Sequence, residues 1–327
     1  MARPRRISEF AAIAQLRALF RDSSSRTEVG IGDDAAVLKA SGRLVWTVDT
    51  AVEHVHFERA WLSLADIGWR SFQAAASDVC AMGGAPVAAL SSVIFPRDLS
   101  TTELLQLARG QRAAARALGC SIVGGNLSSG SELSVTTTLI GDAKRPLLRS
   151  AAKAGDELWL CGDVGLAAAG LRCLQRSGAN RNAAWAARAL RAFRRPHAQL
   201  AAGLSLVRRA HAAIDVSDGL AGDAAHLAHD SGARLILDLR ALETALAPAL
   251  LRVAAKLELS ALQLALYGGE DYALLAAGPG ARRPGDARVI GRVERGSGVW
   301  LLEGARLTRA ARGFEHSGGR KARRVGR

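Results

Sequence analysis

Apolar residues recur along the chain with the two spacings that distinguish helices from strands. Residues 65–82 and 101–118 have helical spacing, and Ser100 is suited to cap the second helix. Residues 132–140 alternate apolar and polar side chains, which predicts a strand with one buried face. Further helices are predicted at 7–20, 164–177, 183–193, 197–212, 220–229 and 247–257. Further strands are predicted at 44–49, 87–95, 120–123, 157–161, 213–216, 234–239, 271–277, 287–293 and 298–302.

The pattern is interrupted at 142–155, where Pro146 and Gly155 stand among polar residues. A chain of 327 residues also exceeds the roughly 250–300 residues that one hydrophobic core usually serves. We therefore expect two domains, at 1–145 and 146–317, each mixing strands and helices, so the fold class is α/β (α+β). The basic tail at 318–327 is expected to be disordered.

The formal charge of +14 first suggests a nucleic-acid partner. Eight of the positive charges, however, lie at the two ends of the chain, at Arg3, Arg5, Arg6, Arg320, Lys321, Arg323, Arg324 and Arg327. A basic body accommodates phosphate-rich small ligands equally well. Nucleic acid is therefore not expected as the main partner.

The cysteines and the hydropathy of the chain indicate the cellular compartment in which the protein is expected. Cys80, Cys120, Cys161 and Cys173 are scattered without a Cys-x-x-Cys pair, which favours buried thiols in a reducing compartment. No run of 18 apolar residues is present, so no membrane span is expected. The N-terminal apolar stretch is interrupted by polar residues and favours an amphipathic helix over a signal peptide. A cytoplasmic location is the resulting expectation.

Acidic residues cluster beside glycines at five places along the chain. The clusters are Asp33-Asp34 after Gly32, Asp49 at a strand end, Asp78 before Gly83-Gly84, Asp215-Val-Ser217-Asp218-Gly219 and Glu270-Asp271 after Gly268-Gly269. Carboxylate oxygens suit Mg²⁺, which shares its coordination sphere with phosphate, and glycine lets a loop approach a ligand closely. Each cluster alone is more often an ordinary turn. Five of them, without a histidine or cysteine ligand set, favour a site for several metal ions and phosphate.

Familiar phosphate and nucleophile motifs are absent from the sequence. There is no Gly-x-x-x-x-Gly-Lys-Ser/Thr loop, no protein-kinase His-Arg-Asp or Asp-Phe-Gly set and no Gly-x-Ser-x-Gly elbow. If the protein handles phosphate, metal ions must neutralise the charge that a P-loop neutralises elsewhere.

Six segments together resemble the thiamine-monophosphate kinase family, in that family's order and from about residue 9 to 316. They are Gly30-Ile-Gly-Asp-Asp-Ala35, Thr47-Val-Asp49-Thr50, His56-Phe57, Ser77-Asp78-Val-Cys-Ala-Met-Gly83, Ile214-Asp-Val-Ser-Asp-Gly-Leu220 and Tyr267-Gly-Gly-Glu-Asp-Tyr272. The resemblance implies an aminoimidazole ribonucleotide synthetase-like fold. Its N-terminal domain would form a β-barrel across a homodimer, and its C-terminal domain would be α/β. It also implies ATP and several Mg²⁺ ions between the domains and phosphorylation of thiamine monophosphate to thiamine diphosphate.

The resemblance assigns roles position by position. Its magnesium ligands match Asp34, Thr47, Val48, Asp49, Asp78, Asp215 and Asp218, with Asn126 at one further ligand position. Its ATP contacts match Ser217, Arg149, Gly124 and Gly125, and its substrate contacts match His56, Glu270 and Phe314. No residue is implied as an acid or base, and Asp215 and Asp218 would serve catalysis through the metal. Taken alone, Arg149 could be a surface charge, His56 a packed histidine and Phe314 a core anchor.

Asn126 departs from the family pattern. The chain has Gly124-Gly125-Asn126-Leu127 where the family typically has Gly-Gly-Asp-Thr. Because the strand is predicted to end at residue 123, we expect Asn126 to project from a loop toward the metal cluster. An amide oxygen carries no formal charge and binds a hard cation more weakly. The alternative is that Asn126 only caps a turn.

The proposed reaction is direct in-line transfer, which needs positioning and charge neutralisation rather than a strong base. Rival interpretations are another ATP-using enzyme of the superfamily and a regulator that has lost catalysis. Selenophosphate synthetase would want a reactive Cys in an N-terminal loop, and no Cys precedes Cys80. The hydrogenase-maturation protein would want a C-terminal Cys, where this chain has Val325-Gly326-Arg327.

Overall fold

A computed structural model describes residues 9–21, 25–29, 31, 36–39, 42–176 and 183–311. Two of the predicted site residues, Asp34 and Phe314, lie outside these ranges, as does the tail from residue 318.

The first part of the chain forms a four-stranded sheet with two helices on one face. Its strands are β3 (Leu44–Val52), β4 (Ala85–Pro96), β5 (Ser121–Gly130) and β6 (Ser134–Asp142), in the order β3-β6-β4-β5. β6 pairs antiparallel with both β3 and β4, and β4 pairs parallel with β5. Helices α2 (Leu64–Ala81) and α3 (Thr101–Ala117) cover the inner face of the sheet, and α1 (Glu9–Leu19) contacts α3. A small hairpin joins β1 (Thr27–Val29) to β2 (Val37–Leu38).

The two faces of this sheet have different surroundings. Val135, Thr137 and Leu139 of β6 are fully buried against the helices, which confirms the alternation predicted for this strand. The opposite face carries exposed apolar side chains, among them Trp46, which is 70% exposed, and Val48. Within the described part of the chain, the sheet therefore has an uncovered apolar outer face.

The second part of the chain forms a seven-stranded mixed sheet. Its strands are β7 (Glu157–Cys161), β8 (Ala212–Val216), β9 (Arg234–Asp238), β10 (Ala273–Gly278), β11 (Arg288–Glu294), β12 (Gly298–Glu303) and β13 (Arg306–Arg309). The order is β13-β12-β9-β11-β7-β10-β8, and only β9 and β12 pair in parallel among these described strands. The helices are α4 (Leu166–Gln175), α5 (Ala187–Arg194), α6 (Leu200–Leu206), α7 (Leu220–Asp230), α8 (Leu239–Ala245), α9 (Pro248–Leu257) and α10 (Ala261–Tyr267).

The predicted helix boundaries agree with the structure to different degrees. Ser100 accepts from the N–H of Glu103, and the Glu103 side chain accepts from the N–H of Ser100, a complete capping box at the start of α3. The predicted helix at 197–212 is too long, because α6 ends at Leu206 and Arg208 has a positive φ of 71°. Helices α8 and α10 were missed because seven residues carry little periodic signal, although Asp238 and Ser260 cap them.

The prediction of a short strand at 120–123 is wrong. β5 continues to Gly130 and pairs with β4 along its whole length, so Asn126 lies in a strand and not in a loop. Glycines interrupted the apolar pattern in the sequence, but here they let two strands approach closely. A Cβ on Gly125 would lie 1.8 Å from the carbonyl oxygen of Ser91.

No helix in the described part of the chain is long and apolar enough to cross a membrane.

Candidate active site

Helix α2 lies between the two sheets. Side chains on one of its faces make polar contacts with the second part of the chain. Trp69 Nε1 donates to the carbonyl oxygen of Pro196 at 2.7 Å, and the N–H of Ala198 donates to Gln73 Oε1 at 2.7 Å. These positions are four residues apart and therefore share a side of the helix. The contacts join α2 to the segment between α5 and α6, and Asp78 lies near the C-terminal end of the same helix.

Strand β3 supplies Thr47 and Asp49 from the inner face of the four-stranded sheet. The Thr47 hydroxyl donates to Asp78 Oδ2 at 2.6 Å, which joins β3 to α2. Asp49 Oδ1 accepts from the N–H of Thr50 at 2.7 Å. Burial raises the pKa of Asp49, and the charges of Asp78 and Glu270 add to this effect.

Asp215, near the end of β8, lies against the same region from the other sheet and is only 5% exposed. Burial, followed by the negative charge of Asp78, raises the pKa of Asp215 to about 7. The positive charge of Arg149 acts in the opposite direction. Two carboxylates, one from helix α2 and one from the second sheet, thus share a poorly solvated region, and this arrangement favours a bound cation.

The loop after β8 is held by a buried carboxylate that was not predicted. Asp223 Oδ2 accepts from the N–H groups of Ser217 and Asp218, each at 3.0 Å. Burial and the charge of Asp215 raise the pKa of Asp223 to about 8. Asp223 lies in the first turn of α7, so the helix fixes the loop that carries Ser217 and Asp218.

The loop from 268 to 272 closes over the loop at 217–219. The N–H of Glu270 donates to the carbonyl oxygen of Ser217 at 2.7 Å, and the N–H of Tyr272 donates to Val216 at 2.9 Å. Gly269 allows this approach, since a Cβ there would lie 2.3 Å from the Ser217 oxygen. Glu270 and Tyr272 have positive φ angles of 68° and 51°, an uncommon conformation for such residues.

Arg70 links this loop to α2. Its Nη2 forms an ion pair with Glu270 Oε1, and its Nη1 donates to the carbonyl oxygen of Phe193 at 2.5 Å. The Arg70 side chain is only 4% exposed, and its guanidinium lies 4.3 Å from the centre of the Phe193 ring. Sequence reasoning missed Arg70, although a charged residue on the apolar face of a buried helix was a signal that could have identified it.

His56 and Arg149 lie at the margin of the site. His56 Nδ1 accepts from the N–H of Val52 at 3.1 Å, so the neutral tautomer carries its proton on Nε2. His56 also lies close enough to Asp49 for the positive form of its ring to lower the pKa of that carboxyl. Arg149 is exposed in a short 3₁₀ turn whose carbonyl oxygen accepts from the Ser231 hydroxyl at 2.6 Å.

Four predicted site residues lie elsewhere within the single chain. Strand register places Asn126 opposite Ser92, in line with Thr136 and Thr50, whereas Asp49 lies opposite the buried Thr137. Asn126 therefore projects from the outer face, and its amide donates to Ser128 at 3.1 Å. The Val48 side chain also points outward. Gly124 and Gly125 lie in β5 beside Asn126.

The described residues fit a magnesium site that is completed by the ligand. Among them, no group of three or more His, Cys, Asp or Glu side chains is placed to hold a metal ion. The donors that do converge are oxygens, from Thr47, Asp78 and Asp215. Mg²⁺ is typically held by one or two carboxylates together with water and substrate phosphate, so this donor set suits it.

Comparison with known proteins gives consistent results. The family described as AIR synthase related protein, N-terminal domain, matches residues 32–143. The chain is 34% identical over 274 residues to the thiamine-monophosphate kinase of Aquifex aeolicus, covering 83% of this chain and 88% of the relative.

Two solved structures are similar over nearly the whole length. The crystal structure of thiamine-monophosphate kinase from Stenotrophomonas maltophilia K279a has a TM-score of 0.79 and 30% identity, covering 92% of this chain and 98% of that chain. The structure of AaThiL complexed with AMPPCP and TMP has a TM-score of 0.77 and 31% identity, covering 94% and 96% of the two chains.

Proposed function

Since the chain belongs to the thiamine-monophosphate kinase family, we propose that it phosphorylates thiamine monophosphate to thiamine diphosphate with ATP as the phosphate donor. The observation that carries this proposal is the convergence of Thr47, Asp78 and Asp215 from three separate elements. A relative of the same fold that is complexed with AMPPCP and TMP supports both ligands.

The reaction is an in-line displacement. An oxygen of the thiamine monophosphate phosphate attacks the γ-phosphorus of ATP, the bond from that phosphorus to the β,γ-bridging oxygen breaks, and ADP leaves with the bonding electrons. The attacking phosphate is already ionised at neutral pH, so no side chain has to remove a proton. Catalysis then depends on positioning and on charge neutralisation.

Asp78, Asp215 and the Thr47 hydroxyl would hold Mg²⁺, with Asp49, Asp218 and, outside the described residues, Asp34 as further candidates. Bound Mg²⁺ supplies positive charge to the phosphate oxygens. Asp223 keeps the loop of Ser217 and Asp218 in place, and Arg149 adds positive charge beside Asp215. His56 and Glu270 border the side of the site assigned to the thiamine moiety.

We also propose that two copies associate through the outer face of the four-stranded sheet. Trp46, Val48, Leu90 and Ile94 are all exposed there, and exposed apolar patches of this kind mark interfaces. A cytoplasmic location is supported by the four free cysteines, all of which are buried.

The test is formation of thiamine diphosphate from thiamine monophosphate, ATP and Mg²⁺ by purified protein. Excess EDTA should abolish product, and Asp78→Asn should lower turnover by roughly 100-fold or more, as expected for loss of a strong electrostatic contribution. Equal product from free thiamine would indicate a pyrophosphokinase instead. Binding of both ligands without turnover would support the alternative that the protein is a regulator that has lost catalysis.

A further inference from the structure

We propose that Arg70 is a positioning residue that acts through Glu270 and so sets the affinity for the thiamine moiety. The proposal rests on the proposed function, because it assumes that Glu270 faces the thiamine side of the substrate. The juxtaposition that carries it is an ion pair between residues 200 positions apart, at the contact between α2 and the loop from 268 to 272.

The Arg70 guanidinium is fixed from three directions. One nitrogen donates to the Phe193 carbonyl, another contacts Glu270, and the plane lies over the Phe193 ring. Its side chain is nearly inaccessible, so the desolvation of this charge has to be offset by these partners. A buried arginine held in this way has one available geometry, which is what an orienting group requires.

The Glu270 carboxylate is held at one oxygen and open at the other. Oε1 contacts Arg70, and among the described residues Oε2 has no hydrogen-bond partner. The Glu270 side chain is 26% exposed, so it is accessible to a ligand. Its backbone is also fixed in a positive-φ conformation by the hydrogen bond to Ser217.

A carboxylate presented in this way recognises N–H donors and cationic rings. Thiamine offers both, in its aminopyrimidine and its thiazolium ring. Arg70 also offsets the charge of Glu270, which otherwise adds to the repulsion at Asp49. Without Arg70, Glu270 would be free to rotate away from the substrate or toward a metal ion. The effect should therefore appear in thiamine monophosphate binding more than in ATP binding.

The test is a double-mutant cycle on KM for thiamine monophosphate, using Arg70→Met, Glu270→Gln and the double variant. Arg70→Met should raise this KM about 10- to 100-fold, the range by which losing an orienting partner lowers affinity at metal sites. KM for ATP should change by less than about twofold. In the Glu270→Gln background, Arg70→Met should add almost nothing, because coupled residues are non-additive.

Arg195→Met is the matched control. Arg195 lies on the same interface, pairs with Asp66 at 2.6 Å and sits 5.7 Å from the centre of the Trp69 ring, without contacting Glu270. This variant should leave KM for thiamine monophosphate unchanged. If Arg70→Met does not fold, the cycle is run with Arg70→Lys, which keeps the charge but loses the planar fork.

An equal rise in KM in both Glu270 backgrounds would overturn the proposal, as would a change in thermal stability without a change in KM. The failure of the proposed function is distinguishable from this. If the wild-type protein forms no thiamine diphosphate, calorimetric binding of thiamine monophosphate to the same variants decides the role of Arg70. A wild-type protein that does not bind it at all overturns that role too.

Discussion

At the scale of single residues, the acidic clusters were predictable and their partners were not. Asp78 and Asp215 stood out because glycines follow them within a few residues, and Asp49 stood out because it lies at the end of a predicted strand. Arg70 contacts a residue that is remote in the sequence, and Asp223 contacts a neighbouring loop. A local sequence pattern does not show which side chains meet after folding. The direction of Asn126 was mispredicted for a related reason, because side-chain direction in a sheet depends on strand register.

Asp215 should reduce the stability of the metal-free protein, and the effect should depend on pH. Its pKa is raised from about 3.8 in the unfolded chain to about 7, so the folded state holds the proton more tightly. Stability is therefore lost as pH rises from 3.8 through 7. Asp215→Asn should melt at a higher temperature than wild type in EDTA at pH 8, and the difference should shrink toward pH 4. Equal melting temperatures at pH 8 would show that Asp215 is not destabilising.

Asn126→Asp should not alter the Mg²⁺ requirement of a single active site. The side chain leaves β5 on the outer face, away from Thr47 and Asp49. A titration of Mg²⁺ at saturating ATP should give superimposable curves for the two proteins. A lower Mg²⁺ requirement for Asn126→Asp would instead mean that position 126 reaches a metal ion across the interface between two copies.

At the scale of elements, the molecule is organised around helix α2, which packs on α3 on one side and on the second sheet on the other. Its limits were predicted to within one residue at each end, and in the structure Ser63 caps its start. Its role as the link between the sheets was not, because an amphipathic pattern shows that a face is buried without showing what covers it.

The crossing of α2 and α3 requires two glycines. A Cβ on Gly110 would lie 2.0 Å from the carbonyl oxygen of Ala65, and one on Gly68 would lie 2.0 Å from that of Leu107. In an ordinary helix, Gly→Ala stabilises by about 1 kcal/mol. Here Gly110→Ala should destabilise by roughly 1–3 kcal/mol, because the helices must move apart.

Urea unfolding of Gly110→Ala measures this effect. Gly119→Ala is a useful comparison, because a Cβ there meets nothing within 4 Å but the backbone has a positive φ of 66°. Its cost should come from backbone strain alone. If Gly110→Ala is as stable as wild type, the two helices are not in the close contact described.

At the scale of the whole molecule, the mixed fold class and most elements followed from the sequence, whereas the order of the strands did not. In the seven-stranded sheet, β7 lies between β10 and β11, which come more than 100 residues later. Such pairings arise from packing of the whole chain, and alternation within one strand carries no information about its neighbours. The proposed domain boundary near residue 145 falls between β6 and β7, where one sheet ends and the other begins.

The outer face of the four-stranded sheet should hold two copies together. In the sheet register, Val48 lies in line with Thr138 and Leu90, and the adjacent row holds Trp46 and Ile140, so several apolar side chains are neighbours on this face. Burying such a face is favourable at roughly 25 cal/mol per Å² of apolar area. Light scattering of the wild type should therefore give twice the chain mass of 34.3 kDa.

Trp46→Arg should shift this mass toward that of the single chain, because an arginine replaces a large apolar side chain that is 70% exposed on this face. The matched change Leu251→Arg should leave the mass unchanged. Leu251 is also an exposed apolar residue, but it lies in α9, in the second part of the chain. A wild type that stays at 34.3 kDa at micromolar concentration would contradict the interface. If Trp46→Arg remains a dimer, another surface joins the copies. Any effect of Asn126→Asp on the Mg²⁺ requirement would then arise at the active site of the same chain.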